Sequence, residues 1–297
     1  MKNRWILNLV MLALVAGLVA FLYLRPQANN DAPVQYEVTT LKLADFNAIK
    51  VEFPTQAPTT FEKVNGLWRM TAPYKTRADQ LSVQRILAII AAKTKDKFSG
   101  ADKDKFGLNN PQLRLKLSGV SGTEEFIFGT FNTVTDEQYV GYKDSVYLLP
   151  SSYAEAATAQ PIEIIDKTPL TLAEAKQIAG FDYAHLEQWE DIGLQVDIVD
   201  GKWKTNASKA KITQNELNEW LDFSWKQAQA KQVELYTPDR KITYPSFKIK
   251  LKDGTKVHFD KIQESPDLLL GRPDEGLMYH FSNDVGFNML NPPLNID

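Results

Sequence analysis

Two periods of apolar residues run through this chain, and they predict different elements. A period of two marks Gln112–Leu117, where Leu113, Leu115 and Leu117 alternate with polar residues, and Ser246–Leu251, where Phe247, Ile249 and Leu251 do the same. Such alternation places one face of a strand on a core and the other in water. Phe126–Phe128 and Lys256–Phe259 read as the return strands. Thr60–Val64 and Leu67–Thr71 flank Asn65-Gly66. A type I′ turn needs positive φ at both central residues, so this pair predicts a tight hairpin. A helical period follows. Leu81, Val83, Ile86, Leu87, Ile89 and Ile90 form one wide apolar face reaching toward Lys93, with Asp79 as N-cap.

The same order of elements recurs about 135 residues on. Trp68 and Trp203, Gly66 and Gly201, Val64 and Val199, and Ala72 and Ala207 all differ by 135. Asp200-Gly201 satisfies the turn demand that Asn65-Gly66 satisfies. Upstream, Ala44 and Ala179, Phe46 and Phe181, and Glu52 and Glu187 keep the offset, which aligns Leu43–Trp68 with Ile178–Trp203 without a gap. This makes Ala48–Phe53 and Ala184–Trp189 the matching first strands. Thr213, with Glu216 three residues on, predicts a capping box opening the second helix, whose face runs through Leu217, Trp220, Leu221 and Phe223 or Ser224 toward Ala228. Pro111 and Pro245 precede matching strands at an offset of 134, and Gly122-Thr123 and Gly254-Thr255 make the next turns. Gln138–Tyr142 with Val146–Leu149, and Leu277–Phe281 with Val285–Met289, read as a closing hairpin in each copy. Tyr153–Ala159 reads as an Ala-rich helix between the copies, and Thr171 with Glu174 can open a short one before Ile178. The residues carrying the repeat are Trp68, Trp203, Gly66, Gly201, Asp79, Pro111 and Pro245, and all of them read as structural.

One run shows neither period. Trp5–Leu24 is twenty residues with no charge and one side-chain amide, Asn8. At a rise of about 1.5 Å per residue it reaches about 30 Å, one bilayer core, and it is expected to be a transmembrane anchor. A cleaved signal has a shorter apolar core, and cutting after Val15-Ala16-Gly17 would leave Leu18–Leu24 as an apolar stump. Lys2 and Arg4 precede the run and Arg25 follows it. This bias keeps the N-terminus cytoplasmic and puts the body on the periplasmic side of a bacterial inner membrane. Gln27–Pro33 is polar, carries proline and reads as a tether.

Charge and composition narrow the chemistry. Removing Lys2, Arg4 and Arg25 from the 34 cations leaves 31 against 37 acids, and a mildly acidic body does not favour nucleic acid. The absence of Cys excludes disulfides and thiolate chemistry. His185, His258 and His280 show no zinc-ligand spacing. No Walker loop or Gly-x-Gly-x-x-Gly is present, so neither nucleotide nor cofactor is expected. Gly119-Val120-Ser121-Gly122 is a turn rather than a nucleophile elbow. Lys93–Lys105 mixes both signs and reads as a solvated connector. Asp136-Glu137 and Asp274-Glu275 fall in what the repeat makes comparable loops, and they read as solvated acids rather than a glycosidase pair.

The anchor, Gly66-Leu67-Trp68 with Pro73, Ala78-Asp79 opening a helix with Val83, Ile86 and Leu87, Phe106-Gly107-Leu108 with Pro111, and Tyr139-Val140 with Val146-Tyr147-Leu148-Leu149 together resemble a bacterial family, domain of unknown function 4340. The likeness is fullest in the first copy. In the second, Ser208 stands where the family has proline, and Thr213-Gln214 where it has Ala-Asp. The resemblance implies an auxiliary part of a transport system linked to gliding motility, and it brings no catalytic residues.

The expected architecture is α+β: a transmembrane helix, then two tandem repeats, each an antiparallel sheet with one long amphipathic helix. The segments are a cytoplasmic terminus (1–4), the anchor (5–24), a tether (25–40), a first repeat (41–153), a connector (154–177) and a second repeat (178–297). The expected function is non-enzymatic binding or scaffolding of an envelope protein partner. The competing expectation is a ligand binder or hydrolase acting on an envelope glycan, peptide or lipid, in a cleft between the repeats lined by Trp189, Trp220 or Trp225.

Overall fold

The structure, a computed structural model, describes residues 34–296 and, before them, residues 11, 15, 17–19 and 21. Most of the predicted anchor Trp5–Leu24 and of the tether lies outside the described residues. Among the described residues no helix is long and apolar enough to cross a membrane.

The body is α+β, and its strand pairings are antiparallel. The first sheet has nine strands. In chain order they are β1 (Phe46–Glu52), β2 (Thr59–Val64), β3 (Leu67–Ala72), β4 (Thr76–Arg77), β5 (Lys97–Ser99), β6 (Leu113–Gly119), β7 (Gly122–Asn132), β8 (Glu137–Tyr142) and β9 (Ser145–Pro150). The second sheet has eight: β10 (Ile178–His185), β11 (Gln195–Val199), β12 (Lys202–Thr205), β13 (Gln232–Leu235), β14 (Ser246–Leu251), β15 (Lys256–Gln263), β16 (Asp267–Arg272) and β17 (Leu277–Ser282). Across the first sheet the order is β4-β3-β2-β1-β6-β7-β8-β9-β5, and across the second β12-β11-β10-β14-β15-β16-β17-β13. Apart from the extra edge strand β4, the two orders are the same.

The predicted hairpins form. Asn65 and Gly66 have φ of 52° and 83°, and Asp200 and Gly201 of 53° and 74°. Trp68 pairs with Lys63 and Trp203 with Ile198, so the two hairpins superpose at the offset of 135. The preceding strand does not keep that offset. Ile49 lies opposite Phe61, and Phe181 lies opposite Val196. Ile49 and Leu117 are paired as Phe181 and Ile249 are, so the strands match at 132. The ungapped alignment therefore slips by three. The β10–β11 connection is longer than β1–β2 and holds the 3-10 turn Glu187–Trp189. This turn replaces the end of the predicted strand Ala184–Trp189, and Glu52 and Glu187 match in letter but not in place. Strand β14 therefore matches β6 at 132, so Pro111 and Pro245 are near neighbours of equivalent positions rather than equivalents.

After each hairpin comes a short helix. Helix α1 (Gln80–Leu87) continues as a 3-10 turn through Ala91. Asp79 caps it, its Oδ1 accepting from Ser82 N at 2.7 Å. Helices α2 (Ser152–Thr158) and α3 (Leu172–Lys176) follow the first sheet, and α3 carries a formed capping box of Thr171 and Glu174. Helix α4 (Gln214–Leu221) continues as a π-helical turn through Lys226. Thr213 is its N-cap residue, but its side chain caps nothing, so the predicted box with Glu216 is absent.

The predicted second closing hairpin is also absent. Leu277–Phe281 is strand, but Val285–Met289 lies in helix α5 (Asn283–Leu290). The partners of β17 are β16 and β13. Gly286 allows the helix to press on Leu268 of β16. Helix α5 follows β17 as α2 follows β9. Two short ribbons, Tyr36–Glu37 with Lys93–Thr94 and Ala210–Ile212 with Leu294–Ile296, tie chain ends onto the body.

One buried apolar cluster runs through both halves. Val83, Ile86 and Leu87 of α1 and Leu217, Trp220 and Leu221 of α4 are buried in it. Trp68 and Trp203 are also buried, as are Trp220 and Trp225, which pack around Phe181 edge-on and tilted respectively.

Candidate functional site

The seam between the halves is filled by two buried arginines. Arg77 of β4 forks onto Glu275, with Nε to Oε1 at 2.9 Å and Nη2 to Oε2 at 3.1 Å. It also donates to Asp166, to Thr168 and to the Tyr279 hydroxyl, which in turn donates to Glu275 at 2.6 Å. Arg272 forks onto Glu174 of α3, at 2.6 and 3.0 Å, and donates to Asp274 and to the Pro169 carbonyl. Burial acts to raise the Glu174 carboxyl, and the Arg272 hydrogen bond and charge outweigh it, so the group is held below its ordinary range. Burial and then Glu275 push the Tyr279 phenol up. First half, connector and second half are thus joined by paired charge. The cleft expected between the repeats is occupied by this network. Its expected walls are turned inward, with Trp189 Nε1 donating to Leu290 O at 2.9 Å and Trp220 Nε1 to Asn288 O at 2.6 Å.

Asp274 and Glu275 lie in the β16–β17 turn, whereas Asp136 ends the β7–β8 turn and Glu137 opens β8. The two acidic pairs therefore do not occupy comparable loops, and Glu275 is a seam residue rather than a solvated acid.

The open features are on the other face of each sheet. In both halves a strap leaves the edge strand, crosses that face and enters the next long strand. In the first half Leu108 of the strap rests on Gly141, and Phe106 packs against Phe98 and Tyr139, with ring centroids 5.4 and 5.0 Å away. Phe98 lies in β5, within the basic run expected to be a connector. In the second half Tyr236 lies on Gly271, the register equivalent of Gly141. The apolar strap of one half is polar in the other. Tyr236 donates to Asp260 Oδ2 at 2.8 Å, and the other carboxylate oxygen of Asp260 meets His258 Nε2 at 2.8 Å. Burial and then Asp260 push the Tyr236 phenol up. Beside them the Lys261 ammonium is buried between Glu187 and Glu264, each at 2.6 Å. Burial acts to lower Lys261, and the two carboxylates raise it on balance.

A cleft opens in each half where the first long strand leaves the sheet and the strap re-enters. In the first half it is about 460 Å³, walled by Phe53, Pro58, Pro111 and Arg114. In the second it is about 440 Å³, walled by His185, Pro245, Ser246, Lys248 and His258. Of the residues singled out by the repeat, Pro111 and Pro245 line these clefts. Trp68, Trp203, Gly66, Gly201 and Asp79 sit at the hairpins and the first helix. Two framework residues were not visible in the sequence. Gln80 and Gln214, the first residues of α1 and α4, clamp the tryptophan backbones. Trp68 N donates to Gln80 Oε1 at 2.9 Å and Gln80 Nε2 to Trp68 O at 2.9 Å; the Gln214 pair with Trp203 measures 2.7 and 3.0 Å. Their offset of 134 was the available signal.

A family model described as "Domain of unknown function (DUF4340)" matches residues 68–245, more than half of the chain. The chain belongs to this family. No curated protein and no solved structure matched it. The DUF4340 match opens on Trp68 of the first hairpin and closes on Pro245 at the second cleft. It takes in the Trp68–Gln80 clamp, the connector and the Trp203–Gln214 clamp.

Proposed function

We propose that this DUF4340 chain is a non-enzymatic binding protein held at a bacterial inner membrane by residues 5–24, with its body in the periplasm and engaged with an envelope protein partner. The body comprises two tandem repeats, residues 41–153 and 178–297. One observation carries the binding role: the same strand order is built twice, and it offers two clefts of similar size and different chemistry on one joined body. A duplicated frame with unlike clefts suits presentation of two surfaces to a partner. The anchor is supported by the twenty-residue uncharged run and its flanking cations. The family resemblance adds the transport-system setting.

The competing reading, capture or hydrolysis of an envelope ligand between the repeats, needs an opening where Arg77 and Arg272 lie. A photo-crosslinking amino acid placed at Gln56 and at Thr243, on the rims of the two clefts, tests the binding role in cells. A discrete adduct from a rim position and none from Lys204 is expected. Equal or absent adducts at all three positions would refute it. Protease treatment of spheroplasts tests the placement, and a body that stays protected would overturn it.

A further inference from the structure

The second cleft differs from the first at four positions that strand register makes equivalent. In the first half Glu52 faces Arg114, and Lys116 faces Glu125. Their charges close on one another. Lys116 Nζ is 2.7 Å from Glu52 and 3.8 Å from Glu125, Arg114 reaches Glu125 at 3.4 Å, and Lys50 reaches Glu52 at 2.6 Å. In the second half His185 faces Ser246, and Lys248 faces His258. Both carboxylates that neutralise Lys116 have become histidines, and the Lys248 ammonium makes no ion pair with a described residue.

Two of the acids around this cleft are held by other groups, and two, Asp182 and Glu190, make no ion pair with a described residue. Asp182, across the ladder from Lys248, accepts the Ala184 N–H at 3.3 Å. Glu187 is held by Lys261. Asp260 is held by Tyr236 and His258. Glu190 stands exposed on the rim. Asp260 also fixes the His258 ring through Nε2, which leaves Nδ1 without a protein partner among the described residues.

We propose that the cleft binds an oxyanion, the carboxylate or phosphate group of a small ligand, between Lys248, His185 and His258, with the Ser246 hydroxyl as a further donor. An unpaired ammonium in a half-buried site gains most from an anion that restores the charge balance its counterpart Lys116 already has. The two imidazole rings and the Ser246 hydroxyl add polar contacts beside that ammonium.

The test is imidazole-detected NMR on the full chain in non-ionic detergent, titrated at constant ionic strength with inorganic phosphate and, separately, with N-acetylglycine. Saturable shifts at the His185 and His258 rings are expected. Lys248→Gln should weaken binding about tenfold, while Lys116→Gln leaves it unchanged. Saturation by phosphate alone assigns a phosphate ligand, and by N-acetylglycine alone a carboxylate ligand. Shifts that grow linearly with either anion, or that persist undiminished in Lys248→Gln while its spectrum stays native, overturn the proposal.

Discussion

At the residue scale the frame is held by a few polar contacts that each do one job. Gln80 and Gln214 give their amides to a tryptophan backbone that lacks a full strand partner on that side. Cutting Gln214 to Ala removes two hydrogen bonds and leaves the Trp203 N–H and carbonyl unmet, whereas cutting Gln80 to Ala removes three, one of them to the Ala78 carbonyl, and the Trp68 carbonyl keeps the Ala78 N–H at 3.4 Å. A loss of about 1–3 kcal/mol is expected from each, read as a lower urea midpoint at unchanged slope. Gly66 and Gly201 do a different job. No atom lies near the Cβ that Ala would add at either position, so the cost is backbone strain alone. Gly66→Ala should therefore cost about 1 kcal/mol, and an equal cost at Gly201 would confirm that both turns are type I′ for the same reason. A glutamine at the first turn of a helix has no sequence signature of its own, which is why the clamp was not legible while the turns were.

At the element scale the straps separate the two halves. Leu108 on Gly141 is an apolar lid over an apolar patch, whereas Tyr236 on Gly271 is the top of a hydrogen-bonded chain to His258. Gly271→Ala would drive a methyl into the Tyr236 ring. An overpacking cost of about 1–3 kcal/mol is expected, together with release of the Tyr236 hydroxyl from Asp260. In a spectrophotometric titration one phenol step should then move down toward the ordinary value of 10.0. Gly141→Ala meets only a flexible leucine and should cost less; equal costs would refute this account. Strand alternation and turn chemistry made most elements legible, and the core faces of α1 and α4 followed from their period except at Leu81 and Phe223, which are exposed. Two failures have physical causes. Val285, Phe287 and Met289 alternate as in a strand, yet Phe287 is exposed and Gly286 is buried, because contact with Leu268 selects the helix over the local pattern. The slip of three arose because letters were matched across a loop that had lengthened, and only the hydrogen-bond ladder reveals it. The cleft chemistry was illegible for the same reason: His185 and His258 become counterparts of Glu52 and Glu125 only once register is known.

At the scale of the whole molecule, the seam decides whether the halves act as one. Removing one member of a buried pair strands the other, so Arg77→Met should cost about 3–5 kcal/mol by leaving Asp166 without a cation and Glu275 with only Arg272, at 3.7 Å. Arg272→Met removes the partner that holds Glu174 ionised, and pH then distinguishes a working seam from a decorative one. The folded-state pKa of Glu174 is depressed below its ordinary 4.5. A depressed carboxylate contributes stability that is fully present above the unfolded value and is lost as pH falls toward and through the folded one. The native protein should therefore lose stability below about pH 4.5 faster than Arg272→Met does, since the variant has no Glu174–Arg272 pair left to lose. Urea midpoints of both proteins at pH 7 and pH 3 measure this. The gap between them should be widest at pH 7 and should narrow at pH 3. A gap of constant width would mean that Arg272 stabilises the seam by packing and carbonyl contacts alone, and that the charge of Glu174 plays no part in joining the halves.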